Sequence, residues 1–123
     1  MPWDLKPDRP IYTQLVEHIE LMILSGVYPP GSKLPSVRDL AKEASVNPNT
    51  MQRALSKLEE DGLVITHRTS GRSITEDSEM IKKAKTRIAR EQVLEFLEKM
   101  QKLGFDQKEI LSIITGMIEE VRG

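Results

Sequence analysis

Hydrophobic residues first recur at Ile11, Leu15, Ile19 and Ile23, close to one per 3.6-residue turn. Leu21 and Met22 widen that stripe, Pro10 suits a first helical turn, and Gly26 is a stop signal. The stretch "RPIYTQLVEHIELMILSG" therefore predicts a helix, and "YPPGSKLP" a rigid, turn-rich link. A second, short helix follows in "SVRDLAKEA", capped by Ser36, with Asp39 in its first turn and Val37, Leu40 and Ala41 or Ala44 turned inward. Ala44-Ser45-Val46-Asn47 is long enough only for a tight turn. Asn47 then caps a third helix with Pro48 at its first position; Met51, Ala54, Leu55 and Leu58 face inward, and Gly62 ends it.

The period next changes from helical to alternating. "LVITH" reads as a strand, "RTSG" as a turn and "RSITE" as a second strand. Three helices, the last two joined by a tight turn, followed by a hairpin, describe a winged helix-turn-helix.

From Ser78 a long charged amphipathic helix is expected, closed by Gly104. Its stripe runs Ile81, Ala84 and Ile88, then slips in phase near Gln92 to Val93, Phe96 or Leu97, Met100 and Leu103. A last helix opens with a capping box at Asp106 and Glu109 and a staple between Phe105 and Ile110. Its apolar face (Ile110, Ile113, Ile114, Met117, Ile118 and Val121) is wider than two helices can bury on each other. A second copy is the expected cover, through Ile81, Ile88, Phe96 and Met100 and the residues of that last face other than Val121. The fold class is thus mostly α: a winged helix-turn-helix over residues 1–77, with three helices and a β-hairpin wing, then a two-helix dimerisation segment over 78–123.

Composition narrows the function. The 123 residues contain no cysteine, so disulfides, thiolate metal sites and cysteine nucleophiles are excluded. The two histidines, His18 and His67, have no neighbours at metal-ligand spacing, and no metal or cofactor is expected. No Gly-rich phosphate loop or paired carboxylate suggests an enzyme. No stretch reads as a signal peptide or a membrane span, so a cytoplasmic location is expected. Net charge is −1, but Ser32 to Thr75 holds seven Lys/Arg against five Asp/Glu, a small basic excess.

The stretch from Pro10 to Val64 resembles the GntR family of bacterial transcription regulators. The likeness rests on Gln14, Gly26, Pro30-Gly31, Leu34-Pro35-Ser36, Arg38, Leu40-Ala41, Val46-Asn47, Thr50-Met51, Ala54, Leu58-Glu59 and Gly62-Leu63. Asn-Pro-Asn-Thr at the third helix and the short C-terminal segment are similar to the YtrA-type subgroup, which implies a dimer without a large effector domain. The wing departs from the family's Gly-x-Gly-x-aromatic-Val: it reads Thr69-Ser70-Gly71-Arg72-Ser73-Ile74.

The resemblance implies a homodimeric repressor on a palindromic double-stranded DNA operator. It implies DNA contacts from Pro35, Ser36 and Arg38, where a helix N-terminus also offers N–H groups to phosphate. Asn47, Asn49, Thr50 and Gln52 have the chemistry to read base edges. Arg53 is a candidate phosphate contact, and Arg68 and Arg72 beside the wing turn are candidates for backbone or minor-groove contacts. Each has a bland alternative: Asn47 as a cap alone, Arg38 paired with Asp39 or Glu43, Lys57 simply solvated. Glu59-Glu60-Asp61 repels phosphate and is expected to face away from DNA. The competing function is a winged helix used as a protein–protein module.

Overall fold

The computed structural model describes residues 3–122. It contains α1 (Ile11–Leu24), α2 (Val37–Ala44), α3 (Pro48–Glu60), β1 (Val64–His67), β2 (Gly71–Ile74), α4 (Ser78–Lys102) and α5 (Gln107–Arg122). By contact the chain divides into two compact units between Lys83 and Ala84, within α4.

In the first unit, α1 and α2 both pack on α3, and β1 runs against α3. Leu15, Ile19, Leu40, Met51, Leu55, Leu58, Leu63 and Ile74 are fully buried there. With so few aromatic residues the core is aliphatic and closely filled, as side-chain interiors are. Leu21, expected to widen the α1 stripe, instead faces solvent at 64% exposure, and Val16 lies inside. The reason is angular: at 100° per residue Val16 falls beside Ile23 at the edge of the Leu15–Ile19–Ile23 stripe, while Leu21 falls on the far side of the helix.

The arm that precedes α1 is tied to the helix by side chains. The Gln14 amide is buried, accepting from the Lys6 N–H at 2.7 Å and donating to the carbonyls of Lys6 (2.6 Å) and Arg9 (2.9 Å). This satisfies a buried amide on both sides and holds the N-terminal arm on the helix. Arg9 meets Glu17 through two hydrogen bonds, and Trp3 stacks on His18 with ring centroids 4.0 Å apart.

The β1–β2 pairing is antiparallel, with Val64 opposite Ile74, Ile65 opposite Ser73, Thr66 opposite Arg72 and His67 opposite Gly71. The second strand begins at Gly71, one residue before the expected start, because Gly71 has φ +84° and turns the chain. The link before α2 joins the sheet: Gly31 N–H donates to Ile74 O, Ile74 N–H to Ser32 O and Leu34 N–H to Arg72 O, each at 2.9 Å.

The second unit holds most of α4 and all of α5. Asp106 and Glu109 form the expected reciprocal box, each side chain accepting from the other's N–H at 2.9–3.0 Å. Ile110 is buried within the single chain, so its place on a partner-facing surface is corrected to an internal one. Ile114 and Met100 are half-buried, while Val93, Leu94, Phe96, Ile113, Met117 and Ile118 remain exposed.

Candidate nucleic-acid interface

The turn between α2 and α3 is set by Ser45, which takes the left-handed conformation at φ 59°. Val46 N–H donates back to Ala41 O at 2.9 Å, closing α2 and redirecting the chain within three residues. Leu40, Ala41 and Ala44 seat α2 on α3 with small contacts, so the two helices sit close.

Both helix starts are capped from side chains. Ser36 Oγ accepts from Asp39 N–H at 3.1 Å, and Asn47 Oδ1 from Asn49 N–H at 2.8 Å, with Pro48 at the first helical position. The structure thus gives Asn47 the capping role. Its amide nitrogen is not used by that bond.

Arg38, Asn49, Gln52 and Arg53 are exposed, and Thr50 and Pro35 partly so. Among the described residues no ion pair joins Arg38 to Asp39 or Glu43. Gln52 bonds within its own helix, Nε2 to Ser56 Oγ at 3.4 Å, a long bond that leaves its exposed amide able to turn outward. Asn49, Gln52 and Arg53 lie together on the first turns of α3, opposite the buried Met51, Ala54, Leu55 and Leu58.

Three charged residues of α3 have partners. Arg53 stacks over the Tyr12 ring. Lys57 pairs with Asp61 at 3.3 Å, and that hydrogen bond holds its ammonium above the ordinary lysine range. Glu59 accepts from the Thr66 hydroxyl and from Arg72 Nε at 2.9 Å. The Thr66 bond first, then the Arg72 bond and charge, hold the Glu59 carboxyl below the usual carboxylate range, against the opposing effect of burial.

The wing is therefore split between its two arginines. Arg68 stands exposed at the turn with Thr69 and Ser70. Arg72 is turned under the hairpin, its side chain 17% exposed and paired with Glu59, so its guanidinium is engaged by the fold. No local spacing pairs Glu59 with Arg72, 13 positions apart. A signal was present: strand alternation puts Thr66 and Arg72 on the face of the buried Val64 and Ile74, which is the face that meets α3.

A tight helix-turn-helix, an antiparallel wing and a polar first turn of α3 left in solvent define a DNA-binding transcription regulator. Residues 11–74 match the model of the bacterial regulatory proteins of the gntR family, and the chain belongs to that family. It is similar to the HTH-type transcriptional regulator YhcF of Bacillus subtilis, 38% identical over 90% of this chain and 92% of that one. It is also similar to the HTH-type transcriptional repressor YtrA of Bacillus subtilis, 31% identical over 98% and 93% of the two chains. Among solved structures, a GntR family transcriptional regulator from Listeria monocytogenes superposes with a TM-score of 0.83 at 38% identity, covering 91% of this chain and 98% of that one. These are regulators of transcription, not enzymes. Among the described residues no cluster of His, Cys, Asp and Glu is arranged to hold a metal ion, and no helix is long and apolar enough to cross a membrane.

Proposed function

We propose that the chain is a cytoplasmic homodimeric repressor that binds an inverted-repeat operator. Residues 1–77 serve as the DNA-binding part and 78–123 as the dimerisation part. The observation that carries this reading is the uncovered apolar surface of the second unit. Phe96 is 40% exposed, Ile118 53% and Met117 59%, while Ile110 on α5 is already buried within the single chain. Exposed apolar area of that kind is stabilised by burial, at about 25 cal/mol per Å². A two-fold interface uses one patch twice, so a single apolar face on each copy is enough to cover both. The similarity to a transcriptional repressor over nearly the whole length supports the direction of regulation.

In the complex, Asn49 and Gln52 read base edges in the major groove, with Thr50 beside them. Arg38 and the start of α2, with Pro35 and Ser36, meet phosphate, Arg53 meets the backbone, and Arg68 at the wing turn reaches the minor groove beside the α3 contact. Each copy supplies one α3, so half-sites lie about one helical turn, or a multiple of it, apart. The test is a footprint on a duplex enriched from a random library, with light scattering of the free protein. Two symmetric protected half-sites and a dimer mass are expected. A single unsymmetrical half-site bound at full affinity, or a monomer at micromolar concentration, defeats the proposal.

A further inference from the structure

One side-chain oxygen ties the recognition helix to both strands of the wing. Oε1 of Glu59, in the last turn of α3, accepts from the Thr66 hydroxyl on β1 and from Arg72 Nε on β2. Thr66 and Arg72 are register partners, so that oxygen takes a hydrogen from both strands at the same rung. The other face of the hairpin is pinned one rung away on each strand, His67 Nε2 to Ser73 Oγ at 2.7 Å. Such a tie matters here because a two-stranded hairpin of four-residue strands is marginally stable by itself. The backbone bond from Leu34 N–H to Arg72 O holds one edge of the sheet, and Glu59 holds its underside.

We propose that Glu59 is a positioning residue for DNA reading: it fixes the wing on the recognition helix, so that Arg68 and the wing turn meet the duplex in register with α3. The proposal rests on the reading of α3 and the wing as the DNA-contacting elements. It makes a claim opposite in sign to simple electrostatics. A carboxylate near a polyanion repels it, so repulsion alone has any neutral replacement of Glu59 bind DNA more tightly. A positioning role has the outcome depend on whether the acceptor oxygen survives.

Glu59→Gln keeps an Oε1 that accepts from both donors; Glu59→Ala removes it. Both delete the same charge. The full-length wild type, Glu59→Gln and Glu59→Ala are compared on a duplex enriched by the wild type from a random library, and on an unrelated duplex of equal length. The glutamine variant is expected to keep its preference for the enriched duplex. The alanine variant is expected to lose that preference several-fold, with discrimination lost at base pairs flanking the α3 contact, and with faster hydrogen exchange at wing amides. If Glu59→Ala folds poorly, Thr66→Val with Arg72→Met removes both donors and is expected to show the same loss of flanking discrimination. Equal preference in the glutamine and alanine variants, or an unchanged flanking profile in the donor double variant, overturns the proposal alone. Failure of the wild type to enrich any duplex overturns the DNA-reading assignment and this proposal with it.

Discussion

The guanidinium of Arg53 lies over the ring of Tyr12, its central carbon 4.5 Å from the ring centroid. Tyr12 belongs to the first turns of α1 and Arg53 to α3, so the contact joins the two helices that share the core interface. A cation over an aromatic face gains about 0.5–1 kcal/mol at an exposed site. The stack covers a face of the guanidinium and leaves its N–H edge able to donate in plane. Tyr12 is thus a platform that limits where Arg53 can reach.

Tyr12→Phe keeps the ring face and is expected to leave DNA affinity near that of the wild type. Tyr12→Leu removes it and is expected to weaken binding to all duplexes alike, because Arg53 loses a preset geometry rather than a base contact. Arg53→Ala is expected to lower the salt slope by about one, the signature of a lost phosphate contact. Titrations at several salt concentrations check this. A shifted melting temperature with an unchanged slope assigns Arg53 to the fold alone.

The exposed face of α5 sets a second expectation. Met117→Asp or Ile118→Asp places a charge on a surface already open in the single chain, so each subunit is expected to stay helical while the dimer dissociates. Ile110→Asp places the charge in a buried position and is expected to reduce folding itself, since an unpaired buried charge is strongly unfavourable. Light scattering and circular dichroism on the same samples separate the outcomes. A dimer mass retained by both Met117→Asp and Ile118→Asp removes α5 from the proposed interface.

Acid titration is expected to show two phases. Burial against the arm pushes the His18 imidazole below its ordinary 6.5, with Glu43 opposing part of that effect. The folded state then binds fewer protons than the unfolded one, so stability falls as pH drops below about 6.5. Glu59 also has a lowered folded value, and its contribution is full above the ordinary 4.5 and lost as pH falls through the lowered value. Because Trp3 is the chain's one tryptophan and stacks on His18, its fluorescence reports the first phase. His18→Phe preserves a stacking ring and is expected to abolish that phase while leaving the acid one. A first phase that persists in His18→Phe rejects the assignment.

The helix boundaries were legible because their chemistry is local. Ser36, Asn47 and the Asp106–Glu109 box each satisfy backbone groups within three residues, and each bond is present in the structure. The aliphatic stripe of α3 was legible for the same reason: period alone fixes which residues share a face. Contacts between elements were not. Glu59 lies 13 positions from Arg72, and Arg53 lies 41 from Tyr12, and nothing in a local window pairs them. The packing of neighbouring elements, not the local pattern, decides that Arg72, a candidate DNA contact by sequence, pairs with Glu59 and that Leu21, expected to widen the apolar arc, faces solvent. The burial of Ile110 within the single chain was not legible because the sequence shows that α5 has a wide apolar arc but not which part of it the chain itself covers.

The first turn of α3 carries the sharpest test of the proposed interface. Asn47 Oδ1 accepts from Asn49 N–H, so Asn47→Ala is expected to cost about 1 kcal/mol of stability. Gln52 is exposed and its bond to Ser56 is long, so Gln52→Ala is expected to leave the melting temperature unchanged. If Gln52 reads a base, its loss costs roughly 1–3 kcal/mol on the preferred duplex and relaxes choice at one position in each half-site. Arg38→Ala is expected to behave differently, weakening binding to every duplex and reducing the salt slope, because a phosphate contact carries no sequence information. Binding across single-base variants of the enriched duplex, with melts of each mutant, distinguishes the three residues. An unchanged preference profile in Gln52→Ala places base reading elsewhere on α3, with Asn49 and Thr50 next to be tested. A profile that relaxes in Asn47→Ala beyond its stability loss shows that the amide nitrogen left free by the cap also reaches a base.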